Sequence, residues 1–272
     1  MKKGQKKSNY SKEEELLICD LYVNQNKSMQ QIGDIYSRSE FFISTVLNKY
    51  KIKRRNITRS TFDETYFEQI DTKDKAYFLG LLMSDGCNYR NGITLSLQDE
   101  DYKVIELFKK YINFTGKINY RNHTNPEYKG IVRIKIHSDL ISKQLTNWNV
   151  IPNKSLNTAF PNILEEFYSH FIRGIFDGDG CICTYKNDKI SQFSIIGCVS
   201  LIERIQEILV KNCLINITKL KKNKLHNINT IYLDYTGYRR LSRIFDWLYQ
   251  DCDDLYIDRK FLKFKRIKDE RI

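Results

Sequence analysis

The chain has 272 residues, 41% of them apolar, and 18 tyrosines, which suits one large domain or two small ones with cores of their own and excludes a disordered polypeptide. A formal charge of +12 predicts a polyanionic partner, because Lys and Arg gain affinity by displacing counterions from phosphates. Apolar runs such as 77–83 are too short to span a bilayer, and the lysine-rich start has no apolar stretch behind it, so neither a membrane protein nor a secretory signal is expected.

Seven cysteines are scattered at 19, 87, 181, 183, 198, 213 and 252. The number is odd and there is no CxxC pair, which disfavours a disulfide framework and a zinc cage and fits a reducing, cytoplasm-like compartment.

Residues 1–56 read as a small basic all-α domain; residues 1–60 hold 13 Lys/Arg against 6 Asp/Glu. The stretch 28–47 has a helix-turn-helix pattern. Its core would be Ile32, Tyr36, Ile43, Val46 and Leu47, with small Gly33 where helices cross and Ser39 capping the second helix. Glu40, Phe41, Ser44 and Thr45 would then face a DNA groove, with Arg54 and Arg55 on phosphates. Residues 57–72 are polar and without period, and read as a linker.

Two stretches with the same order of elements follow, 73–160 and 161–272. The first reads as helix 73–84, strands 87–91 and 93–98, helix 102–112, strands 117–121 and 131–137, and helix 140–148. The second reads as helix 164–178, strands 181–186 and 190–196, helix 201–211, strands 215–221 and 230–235, and helix 238–249. The expected fold is therefore α+β: two pseudo-symmetric α-β-β-α-β-β-α repeats beside an N-terminal all-α domain.

Each repeat opens on an apolar helix containing Gly-x-x-x-x-Asp-Gly, at 80–86 and 174–180. Gly80 and Ser84, like Gly174 and Gly178, are four apart and share one helix face, where small residues let two backbones approach. Gly86 and Gly180 suit a left-handed helix C-cap. Asp85 and Asp179 then sit at the unfavourable negative ends of two helix dipoles. If the helices pack together, two like charges converge, and such a pair calls for a hard cation such as Mg²⁺.

The segments 78–86 and 172–180 resemble the LAGLIDADG motif of the homing endonucleases, and the likeness extends over residues 73–272. Met83 stands where the motif has its first aspartate. Arg173 replaces a small or apolar residue, which predicts looser packing of that helix. The resemblance implies that the two motif helices form the central interface and that each four-stranded sheet sits in the major groove of double-stranded DNA. It implies that Asp85 and Asp179 hold Mg²⁺, or Mn²⁺ in its place, with the carbonyls of Ser84 and Gly178 as further ligands. By the same likeness Lys154 and Lys260 are catalytic, with Arg259 or Lys263 as substitutes. One aspartate per half implies a double-strand break by a monomer.

The groove-facing residues would be the polar members of alternating strands. These are Thr94, Ser96, Gln98, Lys117, Asn119, Arg121, Arg133 and Lys135 in the first repeat, and Gln192, Ser194, Thr230 and Tyr232 in the second. Arg, Lys, Asn and Gln match guanine and adenine edges. Two alternatives stay open on the same fold: a catalytically silent DNA-binding regulator, and a maturase that binds intron RNA. An intein is not expected, since the chain starts at Met1 and ends Arg271-Ile272. Four dispersed histidines, at 123, 137, 170 and 226, argue against a histidine-metal nuclease or a Ser-His-Asp hydrolase.

Overall fold

Serine side chains set the limits of the N-terminal helices. Ser11 and Ser28 each make a reciprocal capping box, with Glu14 and Gln31, opening α1 (Lys12–Val23) and α2 (Met29–Tyr36). Ser39 caps α3 (Glu40–Lys49), as the sequence predicts. The computed structural model describes residues 11–54, 60–89, 91–121, 129–151, 158–185, 190–222 and 230–269. It divides into two units, Met1–Arg59 and Ser60–Ile272.

In the first unit, Ile18, Cys19, Leu21, Tyr22, Ile32, Ile43, Val46 and Leu47 bury one shared core. Glu15 of α1 accepts from Lys49 Nζ at 2.5 Å and from Tyr50 Oη at 2.9 Å, tying the end of α3 to α1. Gly33 does not serve a helix crossing. A Cβ there would stand 2.4 Å from the Arg38 carbonyl, so glycine is required by the tight turn into α3.

The second unit repeats one pattern twice. The first half comprises α4 (Lys73–Ser84), β1 (Gly86–Tyr89), β2 (Gly92–Gln98), α5 (Tyr102–Tyr111), β3 (Asn119–Arg121), β4 (Ile131–Ile136) and α6 (Asp139–Asn147). The second comprises α7 (Tyr168–Asp179), β5 (Gly180–Tyr185), β6 (Ile190–Cys198), α8 (Val199–Cys213), β7 (Lys221–Lys222), β8 (Thr230–Thr236) and α9 (Tyr238–Tyr249), followed by α10 (Asp258–Asp269). Each half forms an antiparallel sheet of the same order, β1-β2-β4-β3 and β5-β6-β8-β7. Alternation decides which face is buried. Ile93, Leu95, Leu97, Val132, Ile134 and Ile136 turn inward from the first sheet, and Ile182, Phe193, Ile195, Ile231, Leu233 and Tyr235 from the second. All belong to one continuous core.

The sequence expectations differ from the structure at several points. The segment expected as a linker is partly core: Tyr66, Phe67 and Ile70 are buried, and Trp148 Nε1 donates to the Phe67 carbonyl at 2.7 Å. The strand expected over 215–221 is reduced to Lys221–Lys222, and Lys117 precedes β3 rather than lying in it. Gly86 and Gly180 are not left-handed caps. Each begins a strand, and Gly180 is extended (φ −94, ψ 162). Glycine is needed there because a Cβ would come within 2.5 Å of the Leu82 or the Phe176 carbonyl one turn back. Helix α10 was not among the expected elements, although Phe261, Phe264 and Ile267 recur at helical spacing behind an acidic start.

The two motif helices pack through mutual glycines. A Cβ on Gly80 would lie 2.1 Å from the Phe171 carbonyl oxygen, and one on Gly174 would lie 2.1 Å from that of Tyr77. No side chain tolerates such a distance, and backbone cannot yield locally, so the helices would have to separate. We therefore predict that Gly80→Ala and Gly174→Ala each destabilise the protein by about 1–3 kcal/mol or more. Gly197→Ala meets only side-chain atoms, of Ile202 at 3.2 Å and Leu201 at 3.7 Å, and costs less. Urea unfolding midpoints compare the three, and equal midpoints would contradict this account of the interface.

Candidate metal centre and nucleic-acid face

The glycine contact brings the ends of α4 and α7 together. Asp85 is the C-cap of α4 and still donates its N–H to the Leu81 carbonyl at 2.9 Å. Asp179 is the last residue of α7. Both side chains are exposed. A Cβ on Gly178 would lie 3.3 Å from Asp85 Oδ2 and 2.0 Å from Ser84 Oγ, so the first carboxylate reaches the residue directly before the second. The Ser84 hydroxyl donates to its own helix, with the Gly80 and Leu81 carbonyls at 3.1 Å each. A cavity of about 250 Å³ opens beside Asp179, among Ser84, Thr158, Gly197, Cys198 and Thr230.

Among the described residues no group of three or more His, Cys, Asp or Glu side chains could enclose a metal. Two carboxylates at converging helix C-ends form a sparse, hard-oxygen donor set. Such a set suits an ion that completes its shell with carbonyls, water and phosphate oxygens, as Mg²⁺ does.

Lys260 occupies an unexpected place. It is buried, and its Nζ lies 2.9, 2.7, 3.2 and 2.6 Å from the carbonyl oxygens of Phe176, Asp177, Gly178 and Gly180. The Gly178 carbonyl, expected to serve a metal, thus already accepts from Lys260. Lys154 and Arg55 lie outside the described residues. The substitutes differ from each other: Arg259 is engaged with Asp101, whereas Lys263 is exposed on α10.

A buried polar layer lies beneath α7. Arg173 is fully buried and does not loosen the helix. Its guanidinium donates to the Leu255 and Leu248 carbonyls at 2.7 Å each, meets His170 Nδ1 at 3.0 Å and covers the Tyr77 ring. Asp177 Oδ2 accepts from Tyr77 Oη at 2.8 Å and from the Ile257 N–H at 2.9 Å. Burial raises the Asp177 carboxyl to about 6, only partly offset by Lys260 and Tyr77. Burial, reinforced by the Arg173 charge, lowers His170 to about 4.

The outward faces of the sheets carry the residues expected to read DNA. In the first sheet the cross-strand rows are Cys87–Thr94–Lys135, Ser96–Arg133–Asn119 and Gln98–Ile131–Arg121. Arg133 Nε donates to Ser96 Oγ at 2.9 Å, which holds the guanidinium upright. In the second sheet the rows include Cys181–Ser194–Asp234, Cys183–Gln192–Thr236 and Ile196–Tyr232–Lys221, with Thr230 opposite Cys198. Asp234 accepts from Ser194 Oγ at 2.6 Å and from Lys221 Nζ at 2.8 Å. Sequence reasoning missed Cys87, Cys181 and Cys183 on these faces. Cys181 and Cys183 flank the apolar Ile182, which is buried, and that alternation was an available signal.

In the N-terminal unit Glu40, Phe41 and Thr45 are exposed along α3. Ser44, expected to face a groove, is buried and hydrogen-bonded by Arg54, whose guanidinium folds over it.

No protein-family model matches the chain. An uncharacterized protein of Methanocaldococcus jannaschii is 29% identical over 58% of the chain, and the chain spans 19% of that relative's length. Among solved structures, the homing endonuclease I-WcaI bound to its DNA recognition sequence shares 14% identity over 74% of this chain and 91% of its own, with a TM-score of 0.49. The I-LtrWI LAGLIDADG homing endonuclease bound to target DNA shares 13% over 75% of this chain and 89% of its own (TM-score 0.43). Full-length DUF199/WhiA from Thermatoga maritima shares 15% over 78% of this chain and 67% of its own (TM-score 0.47).

The buried layer makes a pH prediction with a definite sign. His170 falls from an ordinary 6.5 to about 4, so its contribution is present above pH 6.5 and lost as pH falls toward 4. Asp177 rises from 3.8 to about 6, so its contribution is present below 3.8 and lost as pH rises through 6. The two slopes oppose each other. In His170→Gln, which keeps an acceptor for Arg173, only the Asp177 slope remains. The difference in unfolding free energy between wild type and variant should therefore grow as pH rises from about 4 to 6.5. Urea titrations across that range check it, and a constant difference would refute the assignment.

Proposed function

We propose that the chain is a site-specific DNA endonuclease of the LAGLIDADG type, acting as a monomer on a long asymmetric site. The observation that carries this reading is the convergence of Asp85 on Gly178, directly before Asp179, at the ends of two glycine-packed helices. Two carboxylates at negative helix poles repel unless a cation lies between or beside them. A divalent ion bound there supplies an acidified water and neutralises charge on the scissile phosphate. Asp85 and Asp179 hold that ion, with the Ser84 carbonyl as a further oxygen, and each serves one strand.

The remaining residues position DNA. Arg133, Lys135, Arg121, Asn119 and Gln98 offer donors for guanine and adenine edges, and Thr94 and Ser96 adapt to either. The second sheet presents Gln192, Ser194, Thr230, Tyr232 and the acceptor Asp234. Among the described residues the first face carries Arg121, Arg133 and Lys135, whereas Lys221 on the second is paired with Asp234, and this difference supports an asymmetric target. Lys117, exposed ahead of β3, and Lys263 suit phosphates. In the N-terminal unit, Glu40, Phe41 and Thr45 line the exposed side of α3. A helix so presented supports a helix-turn-helix reading, with Arg54 at its end for the DNA backbone.

The test is cleavage of a randomised duplex library with Mg²⁺, followed by sequencing of the ends. Wild type should cut both strands at one family of sequences. Asp85→Asn and Asp179→Asn should each abolish cutting of at least one strand while leaving affinity intact. Binding without cleavage at any sequence would leave a silent regulator, and preference for intron RNA would leave a maturase. Deleting residues 1–59 should shorten the protected footprint and flatten the salt dependence of binding. An unchanged footprint would remove the N-terminal unit from the interface.

A further inference from the structure

The position of Lys260 does not fit a residue that touches substrate. An ammonium has three donors, and here four carbonyl oxygens lie within 3.2 Å of it. Its side chain is buried, with Nζ 5.4 Å from the centre of the Phe176 ring. No donor is left for a phosphate.

Three of those carbonyls, from Phe176, Asp177 and Gly178, belong to the last turn of α7, where a helix runs short of its own donors; the Phe176 carbonyl also accepts from the Gly180 N–H. The fourth, from Gly180, follows in β5. The bonds to Gly178 and Gly180 bracket Asp179: the first holds the peptide unit leading into it, and the second holds the unit one residue beyond it. The buried positive charge also offsets the helix pole that would otherwise oppose a carboxylate at that end.

The neighbouring residue faces the other half of the molecule. Arg259 makes a two-pronged contact with the buried carboxylate of Asp101, with Nε at 3.0 and 3.2 Å and Nη2 at 2.9 Å. It also pairs with Glu100 at 3.1 Å. One turn of α10 therefore grips the first repeat through Arg259 and the end of α7 through Lys260.

We propose that Lys260 is a positioning residue for Asp179, and that the first turn of α10 sets where the second carboxylate stands relative to the first repeat. This rests on reading Asp179 as a metal-holding carboxylate. Its consequence is uneven: loss of Lys260 disturbs the strand served by Asp179, whose flanking carbonyls it holds, more than the strand served by Asp85, which feels the Lys260 charge only through space.

The experiment uses a supercoiled plasmid carrying the library-selected site, with each strand's cleavage followed separately over a Mg²⁺ titration. Lys260→Met should slow the strand that Asp179→Asn slows, so that nicked circles accumulate. The Mg²⁺ needed for half-maximal cutting of that strand should rise roughly 10–100-fold, as when a group orienting a metal ligand is lost. The other strand should stay within a few-fold of wild type. If Lys260→Met does not fold, Lys260→Arg carries the test: its larger, displaced cation should bias the same strand in the same direction. Equal slowing of both strands, or of neither, overturns the proposal. So does a slower strand with unchanged Mg²⁺ dependence, which marks a direct contact with the phosphate. A wild-type chain that cuts no DNA removes the nuclease reading and this inference together. A cutting wild type with an unbiased variant removes the inference alone.

Discussion

Everything at the centre of the larger unit depends on the close approach of α4 and α7. At Gly80 and Gly174 each backbone presses on the carbonyl of the other helix, at distances no Cβ could occupy. Glycine inside a helix is costly, by about 1 kcal/mol each relative to alanine. That cost is offset by backbone-to-backbone packing along an interface buried on both sides. Tyr77, Phe78, Leu79, Leu81, Leu82 and Met83 of α4, and Phe171, Ile172, Ile175 and Phe176 of α7, all lie in the core. The axis formed in this way brings two acidic residues to one end and hangs one sheet from each helix.

The charge arrangement around that axis is uneven, and the unevenness has chemical meaning. The second helix carries Arg173, Asp177 and His170 in its buried surface, where the first has Leu79 and Met83 in the positions of the arginine and aspartate. Arg173 is held by carbonyls and Asp177 by a tyrosine and a main-chain N–H. Buried charges of this kind seldom stabilise a fold outright. Here they lock α7 to the segment that leads from α9 into α10. That segment in turn delivers Lys260 to the carbonyls around Asp179. The second half is thus braced by α10, which has no counterpart among the described elements of the first repeat.

The two sheet faces express the same inequality toward solvent. The first displays arginines and lysine in cross-strand rows, with Arg133 supported by Ser96. The second displays hydroxyls, amides and Asp234, whose charge is shared with Lys221 and Ser194. A duplex laid across both faces would meet different donors and acceptors on each side of its centre. Pseudo-symmetry builds the scaffold, while the side chains on it are free to differ, because outward strand positions carry no packing constraint.

The sequence by itself determined the repeat, the limits of α4 and α9, the two glycine-bearing helices and the pair of aspartates. Each of these follows from local periodicity or from a motif occurring twice in the same context. The inward and outward faces of most strands were likewise legible from alternation. Only the tertiary structure decided the rest. It put Tyr66, Phe67 and Ile70 of the expected linker into the core, because the burial of Tyr66 and Phe67 depends on partners far along the chain. It assigned Gly86 and Gly180 to close passage over the preceding turn rather than to a left-handed cap. It buried Ser44 beneath Arg54 and made Arg173 a satisfied core residue. It also turned Lys260 inward: composition marks a lysine as surface, and only the carbonyls gathered at the end of α7, more than 80 residues earlier, explain why this one is not.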